Sequence, residues 1–208
     1  MARIVKNADD RRDEIIKAAR ELFQTKDYGK TTMQELIIKL NIAKGTLYHY
    51  FASKQEILEA VVENIVDEEL ANRERLLNST EVKDLGAIEK IKMLITVDDL
   101  TEENELILQG LHHPENTEMH TKQLGRYITK LAPLYAEIFA QGCAEGVFKT
   151  DYPLEAAEFI LAGVQFLTDQ GFYQWSNREI ERRMQAFSFL IEKQLGAPAG
   201  SFSFLNEK

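Results

Sequence analysis

Cysteine is almost absent from this chain: Cys143 is the only one in 208 residues. No internal disulfide can form, which fits a reducing compartment, and a cytoplasmic location is expected. Long apolar runs are missing as well. Nothing approaches the roughly 18 residues that suggest a membrane span, so no membrane partner is expected. The first ten residues, Met1 to Asp10, contain no apolar stretch of the secretory kind. Sustained alternation of apolar and polar residues is also lacking, and with it the main sign of β-strands. There is no internal repeat and no low-complexity segment. No Ser/His/Asp or Cys/His set and no phosphate loop can be found, so an all-helical enzyme is the weakest reading, and no cofactor is implied.

What is present is charge, unevenly spread. The net charge is -9. Residues 1–54 nevertheless hold 11 Lys and Arg against 7 Asp and Glu, a balance of +4, while residues 55–208 carry a balance of -13. Affinity for phosphates depends on cations at contact range, because distant charges are screened within about 8 Å in physiological salt. The acidic total therefore does not exclude nucleic acid, and the basic end is where it would bind.

Helical periodicity runs through the whole chain. A first helix is expected from Asp10 to Gln24, with Ile15, Ile16, Ala19, Leu22 and Phe23 on one face. Thr32 and Glu35 have the spacing of a capping box, in which the threonine oxygen and the glutamate each satisfy a backbone N–H. They open a second helix with Leu36, Ile37 and Leu40 inside. Asn41 to Ala43 forms a turn, and a short helix follows from Lys44 to Tyr50. Ser53 and Glu56 open a fourth helix that should run to about Leu77. Further helices are expected over 85–97, 101–113, 116–145, 153–173 and from Ser176 to Gly196. Pro133 should kink the 116–145 helix, because proline lacks the N–H and crowds the preceding turn. The apolar tail Ser201 to Leu205 falls outside any of them.

A helix, a turn and a second helix carrying hydrogen-bonding side chains at its start is a device for entering the major groove of DNA. Here the second helix carries Thr46, Tyr48, His49 and Tyr50. The pattern resembles the N-terminal domain of the tetracycline-repressor (TetR) family of bacterial regulators. The matching residues are Ala18, Ala19, Leu22, Phe23, Tyr28, Gly29, Thr31, Thr32, Glu35, Leu36, Gly45, Thr46, Leu47, Tyr48, Phe51, Lys54 and Leu58. Two departures stand out. Lys26 and Asp27 occupy a loop where the family often has glycine, and Asn41 replaces the glycine of the turn. The candidate DNA contacts are Thr32, Lys44, Gly45, Thr46, Tyr48, His49, Tyr50 and Lys54. Gly45 would allow close approach to the sugar-phosphate backbone, and Thr46 can hydrogen-bond a base edge or cover a thymine methyl. The resemblance implies a phosphate contact for Tyr48. Lys54 would add charge at a helix start suited to a phosphate. Leu47 and Phe51 belong to the core.

The resemblance implies an all-α protein: a three-helix helix-turn-helix domain over 1–54, then a larger helical effector-binding and dimerisation domain over 55–208. It implies a homodimeric repressor of a palindromic double-stranded operator, released by an unknown small molecule. An activator or a ligand-independent repressor of the same fold is the alternative. The 153–173 helix is apolar on more than one side, which asks for two covers. Ala157, Ile160, Leu161, Val164, Phe187 and Ile191 are the candidate dimer residues. Met93, Val97, Tyr127, Leu131, Phe139, Phe166, Gln170 and Tyr173 are the candidate pocket. His112, His113, Glu115, Glu118 and His120 offer metal-ligand chemistry, but Pro114 breaks their spacing, so a solvated loop is expected and no metal is assigned. Cys143 has no local cation to activate it as a redox sensor.

Overall fold

The computed structural model describes residues 8–96 and 102–206. Among them are nine α-helices and no strand: α1 (Ala8–Lys26), α2 (Met33–Leu40), α3 (Lys44–Tyr50), α4 (Lys54–Leu77), α5 (Ala87–Thr96), α6 (Glu102–Gln109), α7 (Thr117–Ala144), α8 (Pro153–Thr168) and α9 (Asn177–Leu195). Short 3-10 turns cover Gly110–His112, Pro114–Asn116 and Ser203–Asn206. No helix among the described residues is long and apolar enough to cross a membrane.

The chain folds as two units. One comprises Met1–Asp67 with Leu100–His120, the other Glu68–Asp99 with Thr121–Lys208. This differs from a division at 54/55. Helix α4 runs unbroken past that point, because Ile57, Leu58, Val61, Val62 and Ile65 are buried in the core of the first unit. The 100–120 segment returns to that same unit: Ile107 and Leu111 join its core, and Arg20 Nη2 donates to Asn104 Oδ1 at 3.2 Å.

The first unit is held by α1, which buries Ile15, Ile16, Ala18, Ala19 and Phe23 against Leu36, Leu47 and Phe51. Each of the larger ones, Ile, Leu or Phe, contributes about 1.5–3 kcal/mol when fully buried. Both departures from the family pattern are answered by the backbone. Asp27 has φ 72° and Asn41 φ 49°, the left-handed region that glycine fills without strain. Asn and Asp tolerate it best among other residues, and Asp27 Oδ1 also accepts the Gly29 N–H at 2.9 Å.

The second unit packs α5, α7, α8 and α9 around Ala87, Ile91, Leu94, Ala132, Phe139, Ala157, Phe187 and Leu195. Helix α7 passes through Pro133 without ending. Helix α8 stops at Thr168, short of the expected Tyr173, where Asp169 turns extended and its carboxylate takes the Gly171 N–H at 2.8 Å. The tail is no loose end. Phe202, Phe204 and Leu205 are buried, and Phe202 stacks on Phe148 with centroids 6.2 Å apart. Phe148 in turn covers Gly142, where an added Cβ would fall 2.1 Å from the ring.

Candidate functional site

The helix-turn-helix is built by local chemistry. Thr32 caps α2: its hydroxyl accepts the Glu35 N–H at 3.3 Å, and Glu35 Oε2 accepts the Thr32 N–H at 2.9 Å. Asn41, left-handed, ends α2 and lets the Ile42 N–H reach the Ile37 carbonyl at 3.2 Å. Helix α3 then starts at Lys44. Leu47 is buried and pins it to the core, and the Phe51 N–H closes it on the Leu47 carbonyl at 3.0 Å.

With Leu47 facing inward, the other side of α3 faces out. Lys44, Gly45, Tyr48 and His49 are exposed, Tyr48 at 43%, and Thr46 and Tyr50 are half-buried. The Lys44 ammonium sits over the Tyr48 ring at 5.6 Å, and the His49 and Tyr50 rings meet edge to face at 5.1 Å. Among the described residues, no atom beyond Gly45's own helical backbone and chain neighbours lies within 4 Å of a Cβ built there. The fold itself therefore has no steric need of glycine there. Ile38 on α2 is also exposed, at 69%, outside the Leu36, Ile37 and Leu40 stripe.

Lys54 is placed differently from the expectation. Its Nζ donates to the Tyr28 carbonyl at 2.9 Å and lies 4.2 Å from the Tyr28 ring centroid. The half-buried side chain is committed to the protein, so its first effect is to hold the start of α4 against the α1–α2 connection. The start itself is capped by Ser53 Oγ, which takes the Glu56 N–H at 3.1 Å, while Glu56 Oε2 reaches the Ala52 N–H at 2.7 Å.

Glu35 titrates abnormally. Lys26, whose Nζ is 2.6 Å from Oε1, and then Thr32 hold its carboxyl down from 4.5 to about 2. A depressed carboxylate stabilises the fold above its unfolded pKa and ceases to do so as pH falls through the folded one. The α2 cap should therefore be fully effective above pH 4.5 and lost on acidification toward 2. Urea denaturation across that range should show a shallower acid decline for Glu35→Gln than for the wild type.

The second unit contains a cavity of about 220 Å³. Its wall is supplied by α5 (Ile91, Ile95), α7 (Tyr127, Leu131, Tyr135, Phe139), α8 (Ile160, Leu161, Val164, Gln165), α9 and the tail. Three of the expected pocket residues, Tyr127, Leu131 and Phe139, line it. Met93 and Gln170 do not, and Val97 lies outside the described residues. Phe166 borders a separate shallow groove with Leu124, Ile128 and Phe159. Tyr173 stacks on Trp175 at 4.9 Å instead, under the Arg183 guanidinium, which is 3.4 Å from the indole centroid. Phe202, Leu205 and Met184 were missed, the first two because nothing in a five-residue apolar tail indicates where it folds back.

The candidate dimer residues also land elsewhere. Ala157, Phe187 and Ile191 are buried in the core of the chain itself, and Ile160, Leu161 and Val164 face the cavity. The exposed apolar residues of α8 and α9 are others: Phe159 at 70%, Phe189 and Leu190 at 57% each, and Leu154, Phe166 and Leu167. A helix apolar all round offers two stripes, and on α8 the one with Ala157, Ile160 and Val164 is packed within the chain. Among the histidines, His113 is exposed with Nδ1 3.5 Å from Glu115, whereas His120 is buried on α7 with its ring 5.1 Å from His112. The 110–120 segment is thus two short turns and a helix start, partly buried, where a solvated loop was expected.

A three-helix head with an outward-facing α3, joined to a helical unit with a cavity, defines a DNA-binding regulator of the helix-turn-helix class. Residues 15–61 match the profile described as "Bacterial regulatory proteins, tetR family", and residues 99–190 match "Tetracyclin repressor-like, C-terminal domain". Together the two matches take in more than half of the chain, and it belongs to the TetR family of transcriptional regulators; it is not an enzyme. It is similar to the HTH-type transcriptional repressor KstR2 of Mycobacterium tuberculosis, 22% identical over 159 residues, 74% of this chain and 78% of that protein. The uncharacterized HTH-type transcriptional regulator YfiR of Bacillus subtilis is 27% identical over 162 residues, covering 74% and 76%. A transcriptional regulator from Cytophaga hutchinsonii shares the fold with a TM-score of 0.61 at 21% identity, over 96% of this chain and 98% of that one. RolR, solved in complex with resorcinol, does so at 0.60 and 18% identity, over 96% and 95%.

Proposed function

We propose that this regulator is a homodimeric repressor that reads a palindromic operator through α3 and is released by a small molecule bound in the second unit. The observation that carries the DNA reading is Gly45. Among the described residues nothing outside its own helix comes within 4 Å of a Cβ placed there, while Lys44, Tyr48 and His49 stand exposed on either side. A glycine that the fold does not require, set among exposed polar side chains, fits a surface kept low for a phosphate backbone. Thr46 and Tyr48 then supply the base-edge and phosphate hydrogen bonds, and Lys44 supplies charge. Thr32, at the exposed start of α2, offers a further hydroxyl.

Gly45→Ala tests this. The substitution should leave thermal stability unchanged or raise it by about 0.4–1 kcal/mol, since alanine loses less chain entropy at a compatible site. It should weaken operator binding at least tenfold in a mobility-shift titration. Full-strength binding by a folded Gly45→Ala variant would remove glycine from the interface.

The exposed stripe of Phe159, Phe166, Phe189 and Leu190 on two packed helices is the surface that a second copy would cover. A twofold dimer would set its two α3 helices about 34 Å apart, one turn of DNA. Sedimentation of a Phe159→Glu/Phe189→Glu variant should give a monomer with intact helicity, and operator binding should fall with it. A dimer of unchanged affinity would rule out this face.

The cavity favours a ligand-responsive regulator over a ligand-independent one, and the resorcinol complex of RolR is an instance in the same fold. The ligand lowers DNA affinity by the difference between its affinities for the two forms of the protein.

A further inference from the structure

Helix α8 lies between two hollows. On one side Ile160, Leu161 and Val164 wall the cavity, and on the other α8 and α7 enclose an open groove of about 400 Å³. Leu124 and Ile128 supply the α7 side of the groove, and Phe159, Ala162, Gly163 and Phe166 line the α8 side. Those four are spaced i, i+3, i+4 and i+7, so they share one face of the helix. The face is bulky at both ends and low in the middle. Phe159 is 70% exposed and Phe166 42%, with alanine and glycine between them. Exposed rings around an apolar groove mark a surface that another protein surface covers.

The fold of one chain does not account for Gly163. Among the described residues, no atom beyond its own helical backbone and chain neighbours lies within 4 Å of a Cβ built there, and its φ is not positive. Glycine inside a helix is less favourable than alanine. A glycine that nothing in its own chain crowds, set between two exposed rings, fits the close approach of a second helix.

Symmetry and charge say which helix. Phe159 and Phe166 are equidistant along the chain from the point between Ala162 and Gly163. If two α8 helices cross antiparallel at that point, a twofold axis brings each Phe159 against Phe166 of the partner subunit. An interface between identical copies needs this self-complementarity. The charged residues of α8 are Glu155 and Glu158, both exposed and both near its start. Parallel helices in register would oppose these carboxylates to their own copies, at a repulsive cost. Antiparallel helices keep the acidic ends apart, each beside the uncharged end of the other helix.

We propose that a second copy of this chain docks on the α7–α8 groove, its α8 crossing antiparallel at Ala162–Gly163 and its rings entering beside Leu124 and Ile128. This rests on the reading of the protein as a homodimer, and adds to it the position of the symmetry axis and a part for α7.

Cysteine cross-linking of the full chain in a Cys143→Ser background locates the axis. A disulfide needs Cβ atoms about 4 Å apart, which a residue and its own copy reach only beside a twofold axis. Under mild oxidation at least one of Ala162→Cys and Gly163→Cys should give a covalent dimer on a non-reducing gel, and Glu155→Cys should not. Gly163→Leu should weaken dimerisation at least a hundredfold in sedimentation while helicity and melting are retained, since leucine is the better helix former and the site is open. If the wild type sediments as a dimer, the crossing is overturned by any of three results: no cross-link at either central position, equal cross-linking through Glu155→Cys, or undiminished dimerisation of Gly163→Leu. The homodimer would then stand with its axis elsewhere. A wild type that sediments as a monomer would overturn the homodimer itself.

Discussion

Phe202→Ala is expected to destabilise the second unit by about 3–5 kcal/mol, the cost of deleting a fully buried phenylalanine. Phe202 is 2% exposed, stacks on Phe148 and touches Phe204 with centroids 5.9 Å apart. Its backbone N–H donates to Glu192 Oε1 at 3.1 Å, and Ser188 Oγ donates to Asn206 Oδ1 at 3.1 Å, so the tail is tied to α9 at both ends. Native stabilities are only about 5–15 kcal/mol. Truncation after Ala199 removes Phe202, Phe204 and Leu205 together and should leave the second unit without a cooperative transition. Phe189→Ala, at an exposed site, should change monomer stability by less than about 0.5 kcal/mol. Urea denaturation of the three variants makes the comparison. Because Phe202 and Leu205 also wall the cavity, Phe202→Ala should enlarge it and shift its preference to larger ligands.

Thr46→Ala/Tyr48→Ala is expected to lower operator affinity by about two orders of magnitude while leaving the melting curve in place. A well-made contact to a base edge is worth about 1–3 kcal/mol, and the loss of two contacts roughly adds. Neither side chain belongs to the buried core, which takes only Leu47 from α3. Lys54→Ala should behave in the opposite sense. It removes the bond to the Tyr28 carbonyl and the contact with the Tyr28 ring, so stability falls first, by about 1–2 kcal/mol. A mobility-shift titration beside a thermal melt for each variant separates a reading residue from a supporting one.

The contrast between these residues marks what can be read from sequence. Fixed-offset chemistry was legible: the capping box at Thr32/Glu35 forms as its spacing requires, and Asn41 takes the left-handed turn position. The span of α3 was legible too, because glycine and the buried Leu47 and Phe51 set it within a few residues. Long-range choices were not. Lys54 sits at a helix start suited to phosphate, and only the fold brings the Tyr28 carbonyl to its ammonium. On α8, Ala157, Ile160 and Val164 make as good a stripe as Phe159 and Phe166, and periodicity carries no sign of which stripe meets α9 and which meets solvent. The tail offered no period at all, so its place in the core could only come from packing.

In the proposed function, a basic, outward-facing α3 reads DNA although the chain as a whole is acidic. Lys44 tests it most directly, since it is exposed, lies at the start of α3 and is outside the core. The measurement is operator affinity as a function of salt concentration for the full-length wild type and for Lys44→Ala. The wild type should lose affinity steeply as salt rises, and the variant should bind more weakly at every salt concentration, with its log–log slope reduced by about one. Wild-type binding that ignores salt, or a variant with unchanged affinity and slope, would contradict the assignment of α3 to the phosphate backbone.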